Sequence, residues 1–316
     1  MNLTETFNNG SQISDNSERV MYILTLIFFI LTLPCFCFFL YFISIILIIY
    51  FTTPQVRETS RYILFAHMLV NDVLYLFLGL LLSFAYGLFY IPPPVCYFLL
   101  TLTTATFRVT PYNLAAMALE RYLAICFPLR YAMFCTVKRS YSVITAMWFL
   151  GLLPNAADLA ILSASVERSY FSQRLLCKQE WFIVKPMQET IRSFSLLGSL
   201  FMVALIILYT YIKVMLIARK SGSRSSSASK AVRTLMLHAF QLFLSIVSLL
   251  SIVTEFYGGM YLVMFNFVVF MCLPRLLSPL IYGIRDEVFS KCIRKMHSTI
   301  YNKTVQKIQI FENKKI

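Results

Sequence analysis

The chain has 316 residues, of which 59% are hydrophobic and 13% are charged. A soluble domain carries about 25% charged residues, so this composition excludes a water-solvated globule and makes lipid the main solvent. The net charge is +14, but its placement argues against a nucleic-acid partner. Twenty of the 28 Lys and Arg fall in residues 51–61, 121–139, 212–233 and 285–316, which alternate with poorer segments as the positive-inside pattern requires.

Residues 1–19 are polar and lack a basic stretch followed by an apolar one, so no signal peptide is expected and the first span serves as targeting signal. They read as an extracellular tail, with Glu5, Asp15 and Glu18 against Arg19. Asn2-Leu3-Thr4 and Asn9-Gly10-Ser11 are glycosylation sequons on that side. Seven apolar runs follow, at 20–50, 60–89, 96–124, 140–162, 190–218, 231–256 and 259–283. Each is near or above the ~20 residues that cross a bilayer. Backbone groups in lipid must be satisfied internally, so each run is a predicted helix. The predicted fold is an all-α membrane protein, a seven-helix bundle over residues 20–284 forming one domain. Pro111, Pro154, Pro274 and Pro279 are expected to kink their helices.

An odd number of spans puts the termini on opposite sides, and eight Lys and Arg in 285–316 put the C-terminus on the cytoplasmic side of the membrane. Ser221–Ser229 reads as a flexible linker or a phosphorylated switch. Residues 285–297 are amphipathic and suit a short helix on the inner surface, in contact with membrane lipid, before a tail at 298–316. Cys292 there is either palmitoylated or a buried thiol. Most of the eight cysteines sit in apolar runs as small hydrophobes. Cys96 and Cys177 lie on the outer side.

Charge inside a span costs at least ~2.5–3.5 kcal/mol, which singles out Arg108 and Arg275. Arg108 lies thirteen residues before Arg121, about 20 Å outward and near mid-membrane. It either braces neighbouring helices or binds an anionic group of a ligand, for which a guanidinium fork is suited. No metal cluster, catalytic triad, paired carboxylates or glycine-rich phosphate loop stands out, so neither enzyme nor cofactor is expected, and His67, His238 and His297 are scattered.

Glu120-Arg121-Tyr122 alone is a weak match, but the run MALERYLAICFPLRY at 117–131 resembles the odorant receptors, a branch of the rhodopsin-like G-protein-coupled receptors, at the end of their third span. Lys230, Ala231, Thr234 and His238 resemble the opening of their sixth span, and Pro274 with Ser278-Pro279-Leu280-Ile281-Tyr282 the close of their seventh. Asp72 matches the acid of the second span. The wording RETSRYILFAHMLVND and TPYNLAAMALERY looks fish-type. There are departures. Ser44 or a neighbour stands where the first span usually holds Asn, Ser278 replaces Asn before Pro279, and Ile246 sits where mammalian receptors have Phe-Tyr-Gly.

The resemblance implies a receptor for a small-molecule odorant that activates a heterotrimeric G protein of the olfactory, cyclic-AMP-raising type. It also implies a Cys96–Cys177 disulfide and a latch in which Glu120 holds Arg121 at rest, with Tyr122, Tyr211, His238, Pro279 and Tyr282 in the switch. In the family fold Arg275, one turn outward of Pro279, faces Asp72. A buried ion pair there would stand in for the sodium ion many relatives hold. The other reading has Arg275 reaching backbone carbonyls or water. By helix position the ligand pocket would draw on Leu100, Thr103, Thr104, Phe107 and Arg108 of span three, Ser195 and Ser199 of span five, Leu249, Ser251 and Ile252 of span six, and Val268 and Met271 of span seven. The alternatives are a rhodopsin-like receptor for a small hormone-like ligand and, less well matched, a transporter or channel, which would show repeats or several polar spans.

Overall fold

The computed structural model describes residues 3–87, 90–167, 170–171 and 175–220, with Met236, Ala239, Phe240, Phe243 and Arg275 further on. Asn2, His238, Leu249, Ser251, Ile252, Val268, Met271, Pro279, Tyr282, Cys292 and the 285–297 stretch lie outside the described residues.

Five long helices carry the described part of the bundle. They are α1 (Leu3–Thr52), α3 (Ser60–Gly87), α4 (Pro93–Cys126), α6 (Val137–Ser165) and α7 (Pro186–Lys220). Short helices α2 (Pro54–Arg57) and α5 (Pro128–Phe134) join them on one face. Local chemistry sets these starts. Proline occupies the first turn of α2, α4, α5 and α7, where its missing N–H costs nothing. Thr136 caps α6 by accepting from the Arg139 amide. Gln188 turns back so that its Oε1 accepts from the amides of Val184 (2.8 Å) and Lys185 (3.0 Å), tying the start of α7 to the preceding loop.

Spans two to five match the apolar runs to within a few residues. The first does not: α1 starts at Leu3, so the segment expected as a polar tail is continuous with span one, and Asn9 lies on it. Its strongly apolar part is Thr32–Thr52. It also holds Pro34, a further proline inside a helix.

Among the described helices, four are long and apolar enough to cross a membrane by themselves. The one left out is α4, which carries Arg108, Glu120 and Arg121. It is also the central helix and packs against α3, α6 and α7. Polar groups too costly to face lipid are thereby enclosed by apolar neighbours. Lipid is as apolar as a leucine side chain, so close packing must hold such helices together. The largest core cluster does this with Ile43 and Ile46 of α1, Met68 and Leu69 of α3, Val109 and Leu114 of α4, Met147 of α6, and Val203 and Ile207 of α7. Gly151 permits the α4–α6 approach: a Cβ there would lie 3.1 Å from Val109 Cγ2 and 3.3 Å from the Ala105 carbonyl.

At the end of the bundle opposite α2 and α5, a two-residue strand β1 (Tyr90–Ile91) pairs antiparallel with β2 (Leu175–Leu176). A 3-10 turn at Gln179–Phe182 then leads toward α7.

Candidate functional site

Three polar centres lie along α4. The outermost is the Cys96–Cys177 disulfide, with Cα atoms 5.5 Å apart. It is buried with Ala85, Leu162 and Phe182, and Leu100 packs against the same cluster. The bridge pins the β2 segment to the top of α4.

Deeper, two ionic groups sit at mid-helix. In the first, the carboxylate of Asp72 on α3 accepts from Arg275 Nη1 at 2.5 Å, and both residues are buried. The same Nη1 donates to Thr110 Oγ1 at 2.9 Å. Thr110 also accepts from Asn71 Nδ2 at 3.0 Å, and that Nδ2 donates to the Thr106 carbonyl, also at 3.0 Å. The Arg275 guanidinium lies 3.9 Å from the Tyr75 ring centroid, so the cation has an aromatic face as well as an anion. Tyr75 in turn packs on Phe107. Opposite charge, hydroxyl and ring together offset the desolvation of a buried guanidinium, which a carboxylate alone often does not. Of Ser44 and its neighbours, expected where the first span usually holds Asn, Ser44 is exposed and Ile43 is buried.

The second group joins α4, α6 and α7. Arg108 is 6% exposed and donates from Nη1 to Ser195 Oγ (2.9 Å) and from Nη2 to the Arg192 carbonyl (3.2 Å). Ser195 donates to the same carbonyl at 2.9 Å. Arg192 Nε is hydrogen-bonded to Asp158 Oδ2 on α6. Asp158 is fully buried, and its other oxygen has no hydrogen-bond partner among the described residues. The sequence reading missed Asp158 and Arg192. Each is a charge inside an apolar run, Asp158 the one charge in 140–162, and that signal was available.

The remaining pocket candidates split. The Thr103 hydroxyl returns to the Leu99 carbonyl at 2.8 Å. Thr104 bonds to the Leu100 carbonyl and to Asn155 Oδ1, so its hydroxyl serves the α4–α6 contact. Ser199 bonds to the Leu196 carbonyl. Of the described candidates, only Arg108 and Ser195 are brought into mutual contact by side-chain hydrogen bonding.

At the other end of α4, Glu120 is buried and Arg121 Nε lies 3.6 Å from its Oε2. A shorter bond reaches the same carboxylate: the Tyr131 hydroxyl donates to Glu120 Oε1 at 2.7 Å. Tyr131 stood inside the quoted 117–131 run, but this role was not read from it. Tyr122 packs edge-on to Phe127 and Tyr209. Tyr211 packs against the main core. Beside Glu120, burial and then the nearby carboxylate push the Cys135 thiol up to about 11.

A central polar helix caged by apolar spans, with a disulfide at one end and an acid–arginine pair at the other, is the arrangement the described residues form. The chain matches the model of the 7 transmembrane receptor (rhodopsin family) over residues 43–301 and belongs to that family. It is thus a rhodopsin-like, G-protein-coupled receptor rather than an enzyme, a multi-pass protein of the plasma membrane. Among curated proteins it is similar to Odorant receptor 131-2 of Danio rerio, at 30% identity over 81% of each chain. It is also similar to human Adenosine receptor A2b, at 29% over 50% of this chain and 51% of the relative. Human Olfactory receptor 4K17 matches at 28% over 60% of this chain and 62% of the relative. The resemblance to fish-type odorant receptors drawn from 117–131 and its companion motifs therefore holds.

Proposed function

We propose that this receptor binds a small-molecule odorant in the outer half of the bundle and activates a heterotrimeric G protein at its cytoplasmic face. The single observation that carries the odorant reading is the match along 81% of both chains to a zebrafish odorant receptor. The N-terminus is extracellular and the C-terminus cytoplasmic, in keeping with the basic segments on one side. The G protein is of the olfactory, cyclic-AMP-raising type.

The mechanism is a ligand-biased shift between two packings of the helices. At rest Glu120 is held by Tyr131 and neighbours Arg121. In the active packing Arg121 leaves Glu120 and meets the G protein, with Tyr122 and Tyr211, and with His238, Pro279 and Tyr282 of the later spans, as partners in the rearrangement. The Asp72–Arg275 pair ties spans two and seven through Thr110 of span three, so a rearrangement of these three helices must carry or break it. Leu100, Thr103, Phe107, Ser199, Leu249, Ser251, Ile252, Val268 and Met271 shape the cavity, Asn2 and Asn9 carry glycans, and Cys292 is an acylation site.

The test is G-protein activation in cells expressing the full chain, with cyclic AMP and calcium read in parallel against odorant mixtures. A response confined to mixtures and absent in Arg121→Ala at equal surface level is the expected result. Activation by adenosine or by peptide amides, with none by odorants, would replace the reading with a hormone-like receptor.

A further inference from the structure

We infer that the odorants of this receptor are small carboxylic acids, recognised as carboxylates by Arg108 at the α4–α7 seam. The inference rests on the odorant reading above and specifies its ligand class. Two arginines lie deep in the described bundle on opposite sides of α4, and their surroundings differ. Arg275 faces the carboxylate of Asp72, so that site is neutral overall. Arg108 faces the hydroxyl of Ser195 and the carbonyl of Arg192, both uncharged. The nearby acid, Asp158, is already paired with Arg192. Two guanidiniums against one carboxylate leave the Arg108–Asp158–Arg192 group with an excess charge of +1 among the described residues.

A guanidinium has five N–H donors, and among the described residues Arg108 commits two of them, to the contacts just named. A structural brace needs no charge here, since an amide or hydroxyl would serve the same two acceptors. The cost of a buried, uncompensated cation is relieved when a ligand supplies the anion. A carboxylate matches the planar fork with two parallel bonds. An alcohol offers one neutral acceptor, and an amine is repelled by the excess charge.

The experiment uses the full-length receptor, both in cells and purified into nanodiscs. The probes are the straight-chain acids from butanoate to decanoate, with the 1-alkanols and 1-alkylamines of equal length. G-protein activation and the thermal midpoint of the purified protein are read together. The expected result is that acids activate and protect at concentrations at least about tenfold lower than the matching alcohols, and that amines do neither. Arg108→Gln keeps an amide donor toward Ser195 and removes the charge, so acid and alcohol concentrations should converge. If Arg108→Gln fails to reach the membrane, Arg108→Lys decides: it keeps the charge and should keep the acid preference at reduced potency. An acid preference retained in Arg108→Gln, or lost in a folded Arg108→Lys, overturns the assignment. A wild-type response to alcohols or amines but not acids overturns the acid class and leaves the odorant reading standing. No activation and no protection by any of the three series overturns the acid class, while the odorant reading stands or falls with the odorant mixtures above.

Discussion

Single residues in this bundle matter most where they carry charge into lipid. Asp72 and Arg275 are the clearest case, because each is buried and each has the other as counter-ion. Removing one leaves the other uncompensated, which costs about 3–5 kcal/mol, whereas removing both often costs far less. Asp72→Asn and Arg275→Gln should therefore each depress the thermal midpoint and surface level strongly, and the double variant should recover most of the loss. Losses that simply add in this cycle would mean that the two groups are not coupled. This contact was legible through the resemblance, which sets Arg275, one turn from Pro279, opposite the second-span acid. The Asp158–Arg192 contact was not: the two charges stand out in their runs one at a time, but nothing in the sequence or its resemblance pairs these residues on different helices. Cys135 gives a residue-scale test by pH. Its thiol titrates at about 11 because burial and the Glu120 carboxylate disfavour the thiolate. Since the thiolate is the reactive form, alkylation of Cys135 at neutral pH should run about a hundredfold slower than for an exposed thiol. The rate should keep climbing until pH approaches 11. A plateau near pH 8.5, read by mass spectrometry of the labelled peptide, would show that the carboxylate and the burial do not act on it.

At the scale of elements, helix positions were readable and helix phases were not. Apolar runs gave spans two to five because length and composition fix what can cross a bilayer. They could not say which face of α1 meets the bundle. Aromatic and aliphatic residues surround that helix, and the exposed Phe38 and Tyr41 are as apolar as the buried Phe39 and Ile43. That is why the sequence left the first-span position open between Ser44 and its neighbours, of which Ser44 is exposed and Ile43 buried. Polarity in residues 3–19 gave a tail but no secondary structure for it; α1 runs through this segment, since a helix does not need an apolar face to continue beyond the membrane. The close approach of α4 and α6 follows from one glycine. With a Cβ at Gly151 falling 3.1 Å from a Val109 methyl and 3.3 Å from the Ala105 carbonyl oxygen, a larger side chain must push α4 and α6 apart. Gly151→Ala should cost about 1 kcal/mol and Gly151→Leu about 3 kcal/mol or more. The loss is read as a fall in thermal midpoint. The control is Gly198→Ala, where a Cβ meets nothing within 4 Å, and that substitution should be neutral or mildly stabilising.

For the whole molecule the question is which contacts separate the two packings. The cytoplasmic end of α4 offers a division of labour: Glu120 takes a 2.7 Å hydrogen bond from Tyr131 and stands 3.6 Å from Arg121. The tyrosine hydroxyl, on the short helix after α4, fixes the carboxylate, and the fixed carboxylate restrains the arginine. A hydrogen bond to a charged group contributes about 1.5–3 kcal/mol. If it is made only at rest, losing about 1.4 kcal/mol raises the minor active population about tenfold. Glu120→Gln removes the anion and should raise ligand-independent signalling by about that factor. Tyr131→Phe removes only the bond that orients it, so its rise should be smaller, about threefold, and the double variant should signal no more than Glu120→Gln alone because both act through one carboxylate. Basal cyclic AMP per receptor at the surface measures all three. Additive rises in the double variant would mean that Tyr131 restrains the bundle by a route other than Glu120. Unchanged basal activity in Glu120→Gln, in a receptor still silenced by Arg121→Ala, would move the resting restraint away from this pair and onto the Asp72–Arg275–Thr110 junction above it.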